Sequence, residues 1–400
     1  MKKLLLMWFP GAEREQVRWY YLTSILLDVW FVEAIWYFYW GKFGSYQSVG
    51  LVFSVLTAIW VILEIPTGLF ADRFGRRKST VLGAGIMAVG AVVVAGAQNM
   101  AWLAVGGLME NVGRAFISGA IDALVYEDIK AGGGDYDKLY GKVAAAKVRG
   151  QIAIYSLSVV TGGFLFSVYF RLAHILQAIV IAAAFLASRQ LKEVETKLSS
   201  GERIDYVAGF KQLATKKMRG YLLPLLGTAI LVYFYDWGLS KPNIALKFGY
   251  GYEAQGVIFG MMAVINVILL GQFGRWREKV GDYWNTYMTN FLVAGCLVMV
   301  GVVTGYIGII LVLLMELATA WGATIQTTVI NRHIDSKYRA TTLSTLEFVT
   351  KIPFILTTTM VGRLIDTGKI DYFHLAIGGM GLAVGLISLI IYKSNEPNKI

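Results

Sequence analysis

Charged side chains set inside long apolar runs are the residues of this 400-residue chain with the most chemistry to offer. A charge at the centre of a membrane costs roughly 2.5–3.5 kcal/mol on insertion scales, so it needs a task or a partner. Asp28 and Glu33 interrupt the first apolar run, and Glu110, Arg114 and Asp122 interrupt the fourth. Asp236 lies in the seventh, within YFYDW, and Glu347 and Lys351 lie in the eleventh. An acid in a low-dielectric cavity can hold a proton or a cationic solute but not both, and that competition is the simplest way to exchange one for the other.

Some of these charges have a structural reading. Glu110 with Arg114, and Glu347 with Lys351, are spaced i, i+4 and can neutralise one another on one helix face. Lys147 and Arg149 are expected to reach back to the interface, as is Glu64. Asp28 and Glu33 are five residues apart, about 140° around a helix, and face different ways. On a continuous helix Glu33 shares its face with Trp30, Tyr37 and Trp40, a carboxylate among aromatic rings that suits a cation. Asp28 then turns toward Arg114 or Lys351. Asp236, beside Tyr233, Tyr235 and Trp237, is the second-half counterpart. The expected substrate contacts are therefore Trp30, Glu33, Tyr37, Tyr233 and Asp236. The expected proton-coupling group is Glu33, with Asp28 as its rival and Arg114 as the nearby base.

The elements that position these groups follow from composition. The chain is 56% hydrophobic and 16% charged, well below the charge of about 25% usual in soluble domains. Its length suits roughly twelve spans of about twenty residues. These fall at residues 17–40, 46–70, 79–98, 102–126, 143–170 and 172–188, then 221–239, 253–273, 284–304, 306–330, 340–365 and 372–392. The hydrophilic stretch 189–219 separates a bundle over 1–188 from one over 220–400, and 207–218 within it has the pattern of a surface helix. The start, MKKLLLMWFPGAERE, reads as an uncleaved lead on the membrane surface. The net charge of +11 is distributed by side, with about 27 of the 37 Lys and Arg on one face, which orients the chain and does not indicate nucleic acid. Even numbers of spans in each half put both termini in the cytoplasm. Cys296 is the single cysteine, so no internal disulfide forms. His174, His333 and His374 lie near different membrane edges, and with no nucleotide loop or metal-ligand cluster in the sequence, neither enzyme chemistry, a metal nor a cofactor is expected.

Between the second and third runs stands GLFADRFGRRK, residues 68–78, read as an eleven-residue polar hairpin. Gly68 would permit close approach of the helices and Gly75 the tight turn, with Arg73, Arg76 and Arg77 in reach of Asp72. In GRWREKVGD, Gly274, Glu278, Lys279 and Gly281 repeat the spacing of Gly68, Asp72, Arg73 and Gly75, as a duplicated unit predicts. The pattern G-x-x-x-D-R-x-G-R-R-K resembles the signature loop of the major facilitator superfamily of secondary transporters, and the chain is similar to its drug and proton antiporter branches. The resemblance implies an all-α polytopic membrane fold with 12 transmembrane helices in two pseudo-symmetric six-helix bundles around a cavity. It implies that Asp122 or Asp128 pairs with Arg76 as an inner gate and that Asp72 faces the start of span 11 at Arg339. Gly68, Asp72, Arg73, Gly75, Arg76, Asp122 and Asp128 would then form a conformational switch. Two family features differ: Arg114 precedes Gly119 by five residues where many members have four, and Thr161-Gly162-Gly163 lacks the proline of the antiporter motif.

The function expected is alternating-access transport, with proton-coupled efflux of hydrophobic or cationic small molecules first and uptake or exchange of a specific metabolite second. A non-transporting membrane receptor is the third class, disfavoured because scaffolding needs no charged interior. The partners expected are a small-molecule substrate, protons or another coupling ion, and the lipid bilayer of the cell membrane, with the chain acting as a monomer.

Overall fold

An apolar run inside a bilayer has no water to satisfy its backbone, so it closes its own hydrogen bonds as a helix. The computed structural model describes residues 7–194, 206–215, 217–335 and 338–395, and among these it contains helices and no strand. The chain divides into two compact units. The first comprises Met1–Gly44, Ala58–Glu202 and Tyr252–Val264, and the second Ser45–Thr57, Arg203–Gly251 and Ile265–Ile400.

In chain order the first eight helices are α1 (Glu15–Leu27), α2 (Trp36–Gly41), α3 (Tyr46–Phe74), α4 (Arg76–Ala95), α5 (Met100–Ile117), α6 (Ala120–Ala131), α7 (Tyr136–Val168) and α8 (Leu172–Ser188). They are followed by α9 (Tyr206–Leu213), α10 (Arg219–Asp236), α11 (Ser240–Lys247), α12 (Tyr252–Leu270), α13 (Phe273–Val302), α14 (Ile309–His333), α15 (Arg339–Asp366) and α16 (Ile370–Asn395).

Among the described residues eight helices are long and apolar enough to cross a membrane, and α10 with α11, bent by 66°, makes a ninth. The other three expected spans are α8, which is short, and two spans that are broken. The run 17–40 stops being helical at Asp28 and resumes at Trp36. The run 102–126 breaks at Ser118, where Gly119 takes φ +73° before α6 begins. Both breaks correct the continuous helices expected there. They also overturn the shared helical face of Glu33, Trp30, Tyr37 and Trp40, because no helix runs through 28–35. These two broken spans are the ones that carry the densest charge, so segmentation by apolar length alone is least secure where the chemistry is concentrated.

Around the charges each unit packs an ordinary apolar core. In the first, Val17, Tyr20, Leu124, Ile129 and Leu191 are buried together. Residues of the lead join it: the Phe9 ring lies 5.2 Å from that of Tyr21, whose hydroxyl donates to Pro10 O at 2.8 Å. In the second, Leu213, Leu225, Ile325, Val329 and Leu346 are buried. The expected surface helix 207–218 is the shorter α9, which runs along α15 with the Gly209 backbone against Thr345. The rest of the linker, at 195–205 and 216, lies outside the described residues. The first turn of α3 belongs to the second unit, where Tyr46 and Gln47 donate their backbone N–H groups to the Asp366 carboxylate, each at 2.9 Å. A carboxylate there satisfies donors that a helix start leaves open.

Candidate functional site

The non-helical stretch 28–35 contains neither glycine nor proline, so its shape is imposed from outside. Ser158 of α7 accepts the Trp30 N–H at 2.8 Å. Gln177 of α8 accepts the Phe31 N–H at 3.0 Å and donates to Val29 O at 2.7 Å. Gly162 makes room on α7, since a Cβ there would overlap the Phe31 carbonyl. Backbone groups released by the break are thus satisfied by polar side chains, which is the condition for irregular backbone at membrane depth.

The two broken spans meet at one cavity of about 330 Å³ within the first unit. Asp28 from the end of α1 and Arg114, Gly119 and Asp122 from either side of the second break line it, with Lys147 and Gln151 of α7 and Trp60 of α3. This volume lies at the low end of the roughly 300–1,000 Å³ common for small-molecule sites. Two carboxylates and two cations face the space, but they are not equivalent. Asp122 is locked: Lys147 Nζ donates to its Oδ1 and Oδ2 at 2.7 and 3.0 Å, and the Tyr20 hydroxyl donates to Oδ1 at 2.5 Å. Asp28 accepts from the neutral Gln151 amide and faces Arg114 and Lys147 only through longer-range attraction. The Arg114 guanidinium lies 4.8 Å over the Trp30 ring, a cation–π contact.

Asp28 and Arg114 line the chamber together, and Trp30, expected on the Glu33 face, lies instead under the Arg114 guanidinium. Glu33 and Tyr37 are not part of this cavity lining. Glu33 sits half-buried in the non-helical stretch, and Tyr37 is buried beside the Trp36 and Phe38 rings at 6.2 and 5.5 Å. Tyr233 and Asp236 belong to the second unit, where the Tyr233 ring lies 5.0 Å from Phe354 and Asp236 pairs with Lys241 at 3.0 Å. Lys147, expected to reach back to the interface, is bound to Asp122 at the chamber. Its role, and those of Gln151, Ser158 and Gln177, went unread in the sequence. The available signal was an isolated amide in an otherwise apolar run, a costly placement that asks for a partner.

The loop after α3 also departs from expectation. Helix continues to Phe74 and restarts at Arg76, so a single residue, Gly75 at φ +105° and ψ 142°, makes the turn that eleven residues were expected to share. Arg76 pairs with Glu127 of α6, which corrects the expected pairing with Asp122 or Asp128. Asp122 faces the chamber about 140° around α6 from Glu127, too far to serve both sites. Asp128, half-buried, is near Arg14 and Lys192. Gly68 is exposed, and no atom among the described residues lies within 4 Å of where its Cβ would be, so the close approach expected there is not made. Asp72 is half-buried at the last turn of α3, and Arg73 lies 5.5 Å from the Phe74 ring. The start of α4 is capped by Glu193, which accepts the N–H groups of Arg76 and Arg77 at 3.0 and 3.1 Å. Arg77 in turn donates to the carbonyls of Arg189 and Leu191, the former at 3.0 Å.

The degenerate copy has the same geometry. Gly281, at φ +78° and ψ 160°, kinks α13 much as Gly75 turns the chain. The residue that follows is Asp282, which accepts from Arg277 at 2.5 Å and from Arg332 of α14 at 3.1 Å. Arg76 with Glu127 and Asp282 with Arg332 thus occupy corresponding places in the two halves with the charges exchanged.

Comparison with known proteins agrees with this architecture. A sequence model described as the Major Facilitator Superfamily matches residues 21–356. The chain is 24% identical over 249 residues to multidrug resistance protein 1 of Bacillus subtilis (strain 168), covering 59% of this chain and 60% of that protein. It is 28% identical over 95 residues to an uncharacterized transporter of Buchnera aphidicola subsp. Schizaphis graminum (strain Sg), covering 22% of this chain and 24% of that protein. The matches to these curated relatives therefore span about a quarter and three fifths of their lengths. A crystal structure of the peptide transporter POT in complex with sulfate superposes with a TM-score of 0.73 at 13% identity, covering 95% of this chain and 94% of that one.

Proposed function

Because this chain belongs to the Major Facilitator Superfamily and is a multi-pass membrane protein of transporter type, we propose that it exports hydrophobic or cationic small molecules in exchange for protons by alternating access. The observation that carries this reading is the inequality of the two chamber acids. Asp122 is held by Lys147 and Tyr20, whereas Asp28 is met by a neutral amide in a cavity whose lining includes the Trp60 indole. A carboxylate without a direct cationic partner can take a proton, or a substrate's positive charge in its place. The coupling role falls first to Asp28, with Glu33 close by in the same non-helical stretch. Arg114 lines the same chamber as Asp28 and lies over the Trp30 ring. The orientation that fits the charge bias puts both termini and the loop at Gly75 in the cytoplasm, in the cell membrane and with the monomer as the working unit.

A second reading, uptake or exchange of a specific metabolite, is favoured by Arg114, whose guanidinium stacks on a ring and could receive an anionic group. A relative in fold, POT, is a peptide transporter, and a multidrug resistance protein is a relative in sequence. Liposomes containing the purified protein separate the two. Efflux coupling predicts that an aromatic lipophilic cation accumulates when the lumen is acidic and that Asp28→Asn abolishes accumulation and weakens cation exchange as well, because the same carboxylate receives the cation. Accumulation that ignores the pH gradient, or that persists in Asp28→Asn, refutes the proposal.

A further inference from the structure

The ends of α11, α13 and α16 meet in the second unit, at a cluster that the transport reading above does not use. Lys247, the last residue of α11, donates to Asp371 Oδ1 at 2.8 Å and to Val300 O at 2.5 Å. It thereby ties α11 to the first turn of α16 and to the last turn of α13. One turn further along α16 stands His374, fully buried, and both of its ring nitrogens lack a hydrogen-bond partner among the described residues. Its Nδ1 lies 3.9 Å from the same Asp371 oxygen that Lys247 holds. The charged groups acting on His374 are Asp371 of its own helix and Lys247 of α11. The helices α10, α13 and α15 also pack against α16 and bring no other charge to the ring among the described residues.

A neutral imidazole carries one N–H donor and one acceptor, and a protonated one carries two donors. Leaving them unmet in a buried site is costly, and Asp371, about 1 Å beyond hydrogen-bond range, is the acceptor available to a charged ring. We propose that His374, Asp371 and Lys247 form a pH-sensitive latch, in which a proton on His374 draws Asp371 away from Lys247 and frees the end of α11 from α16. Asp371 can make this move because its side chain is 39% exposed, which also gives the proton a path from solvent. Two cations then compete for one oxygen. Lys247 yields, since its side chain is 17% exposed and keeps Val300 O, whereas the ring has no other acceptor among the described residues. His174 supplies an internal comparison. It is also buried, in the first turn of α8, with its Nδ1 unpartnered among the described residues, but it stacks on the Tyr39 ring at 3.7 Å and no charged group acts on it. The two histidines thus separate the effect of burial from that of Asp371. In the orientation proposed above the latch lies at the outer ends of these helices and reads external pH; that consequence rests on the proposed orientation, and the latch itself does not.

The chain has only three histidines, His174, His333 and His374, so histidine-selective carbon labelling of the full-length protein in lipid nanodiscs gives three ring signals to follow by NMR between about pH 5 and 8. Replacing each in turn by phenylalanine assigns them. The expected result is that the His374 signal titrates and the His174 signal does not. Asp371→Asn should lower the His374 midpoint by about one pH unit, and Lys247→Met should raise it. Hydrogen exchange at the amides of residues 244–250 should rise several-fold at the acid end in the wild type and stay flat in His374→Phe, which fills the same site with an apolar ring. A His374 signal that stays flat, titrates together with that of His174, or ignores Asp371→Asn overturns the proposal. So does exchange at 244–250 that slows in acid or fails to follow the His374 midpoint. If the latch behaves as expected while accumulation in liposomes ignores the pH gradient, only the earlier reading fails.

Discussion

Replacing Gln177 by leucine removes the clamp on the broken first span while changing little volume. The amide makes two buried bonds to backbone, donating to Val29 O at 2.7 Å and accepting from Phe31 N at 3.0 Å. Leucine strands both groups, at about 1–3 kcal/mol each. It regains little, because apolar surface inside a membrane bundle does not compete with water as it does in a soluble core. Some relaxation of residues 28–35 lowers the sum, and the expected loss is about 2–4 kcal/mol of unfolding free energy. Ser158→Ala removes the one bond to Trp30 N, made at 2.8 Å, and is expected to cost about 1–2 kcal/mol. The double variant should lose less than the two together, since both side chains hold the same stretch and its release by one devalues the other. Denaturant titration in mixed micelles, followed by tryptophan fluorescence, reads the global cost. Hydrogen exchange reads whether the amides of 28–35 open first. If Gln177→Leu stays within about 0.5 kcal/mol of wild type and those amides exchange at wild-type rates, the break is not held from α8 and the account of the chamber is wrong.

The exchanged charges at Arg76–Glu127 and Asp282–Arg332 predict rescue. Arg76→Glu alone should cut transport, and Arg76→Glu with Glu127→Arg should restore most of it; equal loss in single and double variants would deny the pair a role. Because the Arg76 and Glu127 side chains are partly exposed, at 25% and 16%, the coupling read from stability should be only about 0–1 kcal/mol. Asp282→Ala should destabilise more than Arg332→Ala, since it leaves Arg277 and Arg332 facing each other, and thermal shifts in detergent would rank them. Gly75→Ala and Gly281→Ala force an L-residue to positive φ and should each cost about 1–2 kcal/mol. Gly295→Ala, on a helix with open space where a Cβ would stand, should gain up to about 1 kcal/mol by the same thermal assay.

Helices and their approximate ends were legible because the length of an apolar run reports membrane thickness directly. The break at Gly119 carried a local signal, a glycine between charged positions. The break at 28–35 carried none, because DVWFVEAI is ordinary helix-compatible sequence and its cause lies 128 and 146 residues away at Ser158 and Gln177. Arg114 and Lys351 were both open as the charge facing Asp28, because few charges compete in an apolar interior, and it is Arg114 that shares its chamber. Arg76 was assigned a neighbouring acid and not Glu127, since charge type is visible in a sequence and the face it occupies depends on where α6 starts. The pair of Lys247 and Asp371 went unread for a related reason: the two are 124 residues apart, and Lys247 lies beyond a bend that periodicity does not show.

The two halves show which features of a duplicated unit are constrained. Spacing alone related Gly75 to Gly281, and their backbone angles agree, at φ +105° and +78°. The charges that follow do not: Arg76 reaches an acid on α6, and Asp282 reaches a base on α14. A positive φ at a helix start is hard to replace, because only glycine adopts it without strain. An ion pair, in contrast, works equally well with its ends exchanged, provided both change together. What the two halves hold in common is therefore a turn that aims the next residue at a neighbouring helix, together with a requirement for opposite charge there, and the sign itself is free.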